Sequence, residues 1–332
     1  MNIYLVSLNE SELLGLLRRR GRHSMHTLTD DPASADLILF AGSFGTQPDL
    51  LLQHPLYLRS PDLCAVYTED DNYLPLAPGI YCSAQVDKHS RTGRIFSYSY
   101  VSRDGQYANP FVAASEAVPP KSLLFSFQGG STSLLRKRLF NLNFHRTDLL
   151  IENTSTYYHW DLDQPGREHR QQRYADTLAS SHFVLCPRGA GTGSIRLFEV
   201  MAAGVAPVLI SDRYLLPPGP DWDSFLVRVR EKNIPRLPDL LAPYLASSLD
   251  RGRLAKEAYA KYFAPEHEFD AIVHLCWSAL HHPPPAEIHF RKQQRRQVQR
   301  MRLRKYLRDL ARSIILRIFK TLHLKPPYQM NR

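Results

Sequence analysis

Cysteine is scarce in this 332-residue chain, with four residues, Cys64, Cys82, Cys186 and Cys276, and no Cys-x-x-Cys pair. A secreted disulfide scaffold is denser in cysteine and a zinc site needs closer spacing, so the four read as free thiols in a reducing compartment. Long apolar runs are missing as well. None approaches the roughly 18 residues that cross a bilayer. The opening Met-Asn-Ile-Tyr-Leu-Val-Ser-Leu has no basic region ahead of it and reads as a first β-strand, not a signal peptide. These absences together point to a cytoplasmic protein. The body also lacks an excess of charge, although the whole chain carries +10. Fourteen Lys/Arg against two acids (Glu287, Asp309) fall between Ala286 and Arg332, leaving 28 basic and 30 acidic residues elsewhere. A near-neutral body argues against a nucleic-acid-binding domain, whose phosphate contacts demand clustered positive charge.

What is present is ordinary globular composition, 43% hydrophobic and 22% charged, over a length that suits two domains. Short apolar runs alternate with polar helical segments, which argues for parallel sheets of βαβ units. Strands are expected at Asn2–Leu8, Leu37–Ala41 and Leu63–Thr68, with a helix over Glu10–Arg20. Residues 68–118 read as loops and short elements around a cleft. A second series follows the Pro119-Pro120 break. Its strands are Leu123–Phe127, Leu149–Glu152, Phe183–Cys186 and Val205–Ile210, and its helices start at Ser133, run over Tyr174–Ser180, and span Ser194–Ala203. The expected organisation is a domain over 1–119, a second over 120–282, and a tail over 283–332 opening on Pro283-Pro284-Pro285.

The segment Phe183-Val-Leu-Cys-Pro-Arg-Gly-Ala-Gly-Thr-Gly-Ser-Ile-Arg-Leu-Phe-Glu199 carries the chemistry. A strand runs into a loop with glycines at 189, 191 and 193, which opens a helix at Ser194. Glycine lets backbone approach a ligand closely, and a helix start offers unpaired N–H groups and positive partial charge to an anion. Arg188 and Arg196 flank the loop, each able to give two-pronged hydrogen bonds to phosphate oxygens. Glu199 lies about one turn beyond Arg196, where a carboxylate can accept from a ribose diol. Against this, the spacing is not the dinucleotide Gly-x-Gly-x-x-Gly, and no Walker lysine follows, so the loop by itself reads equally as a structural turn.

The run Tyr174…Ser181-His-Phe-Val-Leu-Cys-Pro-Arg-Gly, followed by Ser194-Ile-Arg-Leu-Phe-Glu, resembles the core of the exostosin-like glycosyltransferases, glycosyltransferase family 47. The likeness continues through Gly204, Pro207-Val208, Ser211-Asp212, Leu216-Pro217, Asp221-Trp222, Phe225, Val227, Glu231 and Ile234-Pro235. Upstream, Phe125-Ser-Phe-Gln-Gly-Gly and Arg136 resemble the family's strand-and-arginine segment. Residues 1–110 match only in broad pattern. The resemblance implies an α/β GT-B fold, with two Rossmann-like doubly wound domains facing across a cleft, and an inverting transferase that uses a nucleotide-sugar without a metal. A UDP-sugar is the favoured donor and a GDP-sugar the alternative. It further implies that Arg188, Gly189, Ser194, Arg196 and Arg136 hold the diphosphate and that Glu199 binds the ribose. The family's better-known members carry an N-terminal membrane anchor and an acceptor domain that are not recognisable in this sequence, so the glycan or glycolipid acceptor does not transfer.

An inverting transfer needs a base for the acceptor hydroxyl and positive groups for the departing diphosphate. Thr68-Glu69-Asp70-Asp71 follows a strand at the end where α/β sheets bind ligands, which makes Glu69 and Asp70 the candidate bases, against the ordinary alternative of a solvated turn. Asp161-Leu-Asp163 fits the metal-binding Asp-x-Asp string but sits in a polar stretch and reads as a loop, so no metal site is assigned. In the tail, Leu303, Leu307, Leu310, Ile314, Ile318 and Leu322 recur at helical spacing among Lys/Arg, an amphipathic basic helix over roughly 286–325. It suits an anionic membrane surface, peripheral on the inner face, with packing on the body, a partner helix or nucleic acid as alternatives. Two other readings of the whole stay open, a nucleotide-binding scaffold with a nucleic-acid tail and a catalytically inactive transferase fold serving as a partner subunit.

Overall fold

The computed structural model describes residues 1–9, 11–112, 120–157 and 161–282, with ten further helical positions between 296 and 314. The chain separates into two units, Met1–His282 and Pro283–Arg332.

The first unit contains two parallel sheets. Its opening part runs β1 (Asn2–Ser7), α1 (Ser11–Gly21), β2 (Thr27–Leu28), β3 (Leu37–Ala41), α2 (Asp49–Leu52), α3 (Pro55–Arg59), β4 (Cys64–Thr68), β5 (Gly79–Tyr81) and β6 (Ile95–Phe96). These strands form a six-stranded sheet in the order β2-β1-β3-β4-β5-β6. Every residue of β3 and β4 is buried, as expected of apolar strands covered on both faces. Helix α1 closes one face through Leu13, Leu16 and Leu17, an i, i+3, i+4 stripe. The stretch expected to be loops supplies β5 and β6, whose three and two residues are too short to show a period.

The second part runs β7 (Leu123–Gly129), α4 (Leu134–Phe140), β8 (Leu149–Asn153), α5 (Arg167–Ala179), β9 (Ser181–Pro187), α6 (Ile195–Ala202), β10 (Ala206–Ile210), α7 (Trp222–Phe225), β11 (Val227–Arg228), α8 (Leu237–Leu241), α9 (Ser248–Tyr262) and α10 (Pro265–His281). Its five strands pair in the order β11-β10-β9-β7-β8, again all parallel. Two doubly wound sheets facing across a cleft make the GT-B arrangement that the sequence reading expected.

The last helix returns to the first sheet. α10 packs on β4, β5 and α1, and the Cys276 thiol lies 3.7 Å from the Val66 carbonyl of β4. One apolar cluster therefore runs from Leu13 and Leu39 through Phe198 and Met201 to Ile272 and Cys276, joining both halves of the unit. A second cluster, with Phe125, Phe127, Leu185, Val208 and Leu237, fills the far face of the second sheet.

Among the described residues no helix is long and apolar enough to cross a membrane. In the second unit, positions 296, 298, 299, 302, 303, 306, 307, 310, 313 and 314 are helical. Leu303, Tyr306, Leu307, Leu310 and Ile314 there are exposed. The remaining tail positions of the expected amphipathic helix, Ile318 and Leu322 included, lie outside the described residues, as do Pro283–Pro285.

Candidate active site

The carboxyl ends of β4, β7 and β9 converge on the cleft, the place where open α/β sheets take ligands. Two adjoining cavities fill it. The larger, about 870 Å³, is walled on one side by Glu12, Glu69, Asp70 and Asp71 and on the other by Arg136, Gly189, Ser194 and Arg196. The smaller, about 240 Å³, is lined by residues that include Gln128, Tyr157, Arg170, Tyr174 and Glu199. Arg136, Ile195 and Arg196 line both.

Arg136 and Arg196 stack on one aromatic ring. Their guanidinium carbons stand 5.5 and 4.8 Å from the centre of Phe127, at the end of β7. Arg196 also lies 5.8 Å from the ring of Tyr174. Arg136 donates to the carbonyls of Pro187 (3.1 Å) and Gly130 (3.3 Å), and Arg196 donates to that of Gln128. Among the described residues no carboxylate lies within ion-pair distance of either arginine, and Arg196 Nε is buried without a partner. Burial together with the charge of Arg196 pushes the Arg136 guanidinium down to about 9. Two desolvated cations held side by side on a ring form a site that an anion would relieve.

Beside them, the Tyr174 hydroxyl donates to Glu199 Oε2 at 2.8 Å, one turn of α6 beyond Arg196. Ser194 caps α6 by backbone conformation alone, with no side-chain hydrogen bond to the first turn. The helix N–H groups at that end therefore face the cleft unclaimed by a capping side chain. Gln128 is fixed by a relay in which Arg173 donates to Glu152 (2.9 Å) and the Gln128 side-chain amide donates to Glu152 (2.8 Å), leaving the side-chain oxygen Gln128 Oε1 buried and, among the described residues, unpartnered.

The glycines of the loop have a different use from the one expected. Gly191 N–H donates to Asp71 Oδ1 at 3.1 Å, and Thr192 donates to the Ser83 carbonyl at 2.7 Å. A Cβ at Gly193 would come within 2.6 Å of the Cys82 carbonyl oxygen. Gly191 and Gly193 thus allow the loop to seat against the first half of the unit. Only Gly189 fronts the arginines, with Arg136 Nη2 3.6 Å from where its Cβ would be.

Arg136, Gly189, Ser194, Arg196 and Glu199 are accordingly brought together. Arg188 is placed elsewhere. Its guanidinium grips both oxygens of Glu231, at 2.7 and 3.0 Å, and it lines neither cavity. Glu231 in turn ties Asp212, accepting from its N–H at 3.3 Å, so Arg188 anchors the β10–β11 side of the fold. Glu69 reaches the larger cavity with both oxygens engaged and Asp70 with its Oδ2 engaged. Tyr67 and Ser102 donate to Glu69, while Phe44 N–H, Gly45 N–H and the Thr68 hydroxyl donate to Asp70 Oδ2. Tyr158 and Trp160 lie outside the described residues, and Asp161-Leu-Asp163 is a turn as expected. Phe127 and Gln128 are site residues that sequence reasoning does not reach. They lie on β7, one strand away from β9, and nothing local in the sequence ties them to the glycine loop.

Residues 104–243 match the model of the exostosin GT47 domain. That stretch is similar to an exostosin-like GT47 domain. The matched stretch holds Arg136, Arg196, Glu199 and Tyr174 and excludes the Glu69–Asp71 wall. The chain is similar to the exostosin-1 homolog of Caenorhabditis elegans, 32% identical over 136 residues, which is 36% of this chain and 35% of that protein. It is similar also to a probable glycosyltransferase of Arabidopsis thaliana, 32% identical over 133 residues, covering 36% of this chain and 26% of that one. The chain thus spans about a third or less of the curated relatives it matches. Among solved structures, the crystal structure of an α1,3-fucosyltransferase aligns with a TM-score of 0.42 at 13% identity, covering 84% of this chain and 90% of that one.

Proposed function

We propose that this GT47-domain protein transfers a sugar from a nucleoside-diphosphate donor, a UDP-sugar in preference to a GDP-sugar, to a hydroxyl of a glycan or glycolipid, with inversion and without a metal ion. The observation that carries the reading is the pair Arg136 and Arg196 on the Phe127 ring, buried and, among the described residues, with no carboxylate within ion-pair distance. A diphosphate laid across both guanidiniums and the start of α6 neutralises them through charge-assisted hydrogen bonds. The same groups then stabilise the negative charge that grows on the leaving diphosphate, which is the electrostatic task a metal performs in other transferases. The smaller cavity accommodates the nucleoside, its ribose diol on Glu199, whose second partner Tyr174 holds the carboxylate in place. The sugar then projects into the larger cavity, where an acceptor enters.

The second unit completes the reading. Leu303, Leu307, Leu310 and Ile314 are exposed at three- and four-residue steps, with Tyr306 beside them, in a segment carrying fourteen Lys/Arg. An apolar stripe of this kind within a basic helix suits the surface of an anionic bilayer, and the transferase would work there as a peripheral protein on the cytoplasmic face.

The test is a thermal-shift titration of the protein with UDP, GDP, CDP and TDP, each with and without EDTA. A ligand of the folded state raises its melting temperature. UDP should stabilise most, EDTA should leave the shift unchanged, and Arg196→Ala should abolish it. If no nucleoside diphosphate stabilises the protein at millimolar concentration, the donor reading is wrong.

A further inference from the structure

We infer that Asp71 is the general base that removes the acceptor proton; the assignment rests on the transferase reading above. Four carboxylates wall the larger cavity opposite the arginines. Glu12 accepts from the Gln106 N–H at 3.1 Å and from the Gln106 amide at 3.0 Å, one on each oxygen. Glu69 accepts on both oxygens, from Tyr67 (2.9 Å), the Ser102 N–H (3.0 Å) and the Ser102 hydroxyl. Asp70 takes three donors on Oδ2, two of them the backbone N–H groups of Phe44 and Gly45 at 2.8 Å. Protonating any of these would weaken several hydrogen bonds that hold the cleft's own loops.

Asp71 differs. It is exposed on the cavity wall, its Oδ1 accepts a single bond from Gly191 N–H at 3.1 Å, and among the described residues its Oδ2 has no hydrogen-bond partner. That one bond aims it. Gly191 belongs to the loop between β9 and α6, the loop whose neighbours Gly189 and Ser194 front the arginine pair, so Asp71 is tethered to the donor side of the cleft while standing on the acceptor side. Arg136 feels the charge of Asp71 across the cavity. An independent sign that the space between them takes a ligand is Arg196 Nε, buried on the same cavity without a partner.

In the step this geometry serves, the acceptor oxygen forms its bond to the anomeric carbon and the bond from that carbon to the diphosphate oxygen breaks. The electron pair leaves on the nucleoside diphosphate, held by Arg136 and Arg196, and the acceptor's proton passes to Asp71 Oδ2. A positioned base of this kind contributes on the order of 10²–10⁴ in rate.

The contact with Gly191 allows the base to be separated from the tether. In Asp71→Asn the amide oxygen still accepts from Gly191 N–H, but it cannot take a proton. UDP release from UDP-sugars, with water as acceptor, should fall by about 100-fold or more in Asp71→Asn, while the UDP dissociation constant stays within about twofold of wild type. Asp71→Ala should be equally slow and should regain rate with added formate, a response that a purely structural aspartate would not give. Wild-type turnover in Asp71→Asn, or no formate rescue in Asp71→Ala, overturns the assignment with UDP binding intact. Failure of UDP to bind the wild-type protein would instead refute the donor reading on which the assignment rests.

Discussion

Glu268 makes the fold's stability depend on pH in a direction that can be worked out. The residue sits in the first turn of α10, fully buried, with the Ser99 hydroxyl donating to Oε1 at 3.0 Å. Arg103 Nη2 stands 3.4 Å from Oε1 and Arg20 Nε stands 3.6 Å from Oε2. Burial dominates and pushes the carboxyl from an ordinary value of 4.5 up to about 7; Arg103 pulls it down, and Asp104 adds to the rise. The folded state therefore holds this proton more tightly than the unfolded chain does. Its contribution is complete below about pH 4.5 and is lost as the pH rises through 7. The difference between those two values corresponds to about 3 kcal/mol, or about 5–10 °C in the melting temperature of a unit this size. Gln is the shape of the protonated acid and has no proton to lose, and Arg103 keeps Asp104 at 3.1 Å as its partner. Urea unfolding of wild type and Glu268→Gln between pH 5 and 8 isolates the effect, since every other titrating group cancels in the difference. The two proteins should be nearly equal at pH 5, with Glu268→Gln ahead by about 3 kcal/mol at pH 8. A difference that stays flat, or one that grows in favour of wild type, refutes the reasoning.

Other predictions concern the cleft and the tail. Gly193→Ala should destabilise the protein by about 1–3 kcal/mol, because the new methyl would meet the Cys82 carbonyl and the Tyr100 hydroxyl; unchanged urea stability would show that the loop is not pressed there. Tyr174→Phe removes the hydroxyl that holds Glu199 and should weaken UDP binding by up to about tenfold in calorimetry, whereas an unchanged affinity removes Tyr174 from the site. Deleting residues 286–332 should release the protein from vesicles containing anionic phospholipid, and a truncated form that still sediments with them refutes the membrane role of the tail.

The parts legible in the sequence were those whose signal is local. Runs such as Leu37–Ala41 and Ala206–Ile210 are apolar throughout because both faces of a parallel strand are covered, and they stand where expected. The Ser194–Glu199 turn placed Arg196 and Glu199 on one side of a helix, and the structure puts both beside the smaller cavity. Long-range partners were not legible. Arg188 and Glu231 are 43 positions apart, and nothing near Arg188 distinguishes an arginine that meets a carboxylate from one left for phosphate. The use of Gly191 and Gly193 is hidden for the same reason, since what they approach comes from residues 71–100. Nor does the α10 sequence reveal that its apolar face meets β4 and β5 from the other half of the unit.

That last contact bears on how the protein is made. The first sheet is complete in sequence by Phe96, yet the helix that covers β4 and β5 ends at His281. At translation speeds of about 5–20 residues per second, the ribosome exposes the sheet for roughly ten seconds or more before its cover exists. The first half of the unit is therefore born with an uncovered apolar face, the kind of surface through which incomplete chains aggregate if translation stops early.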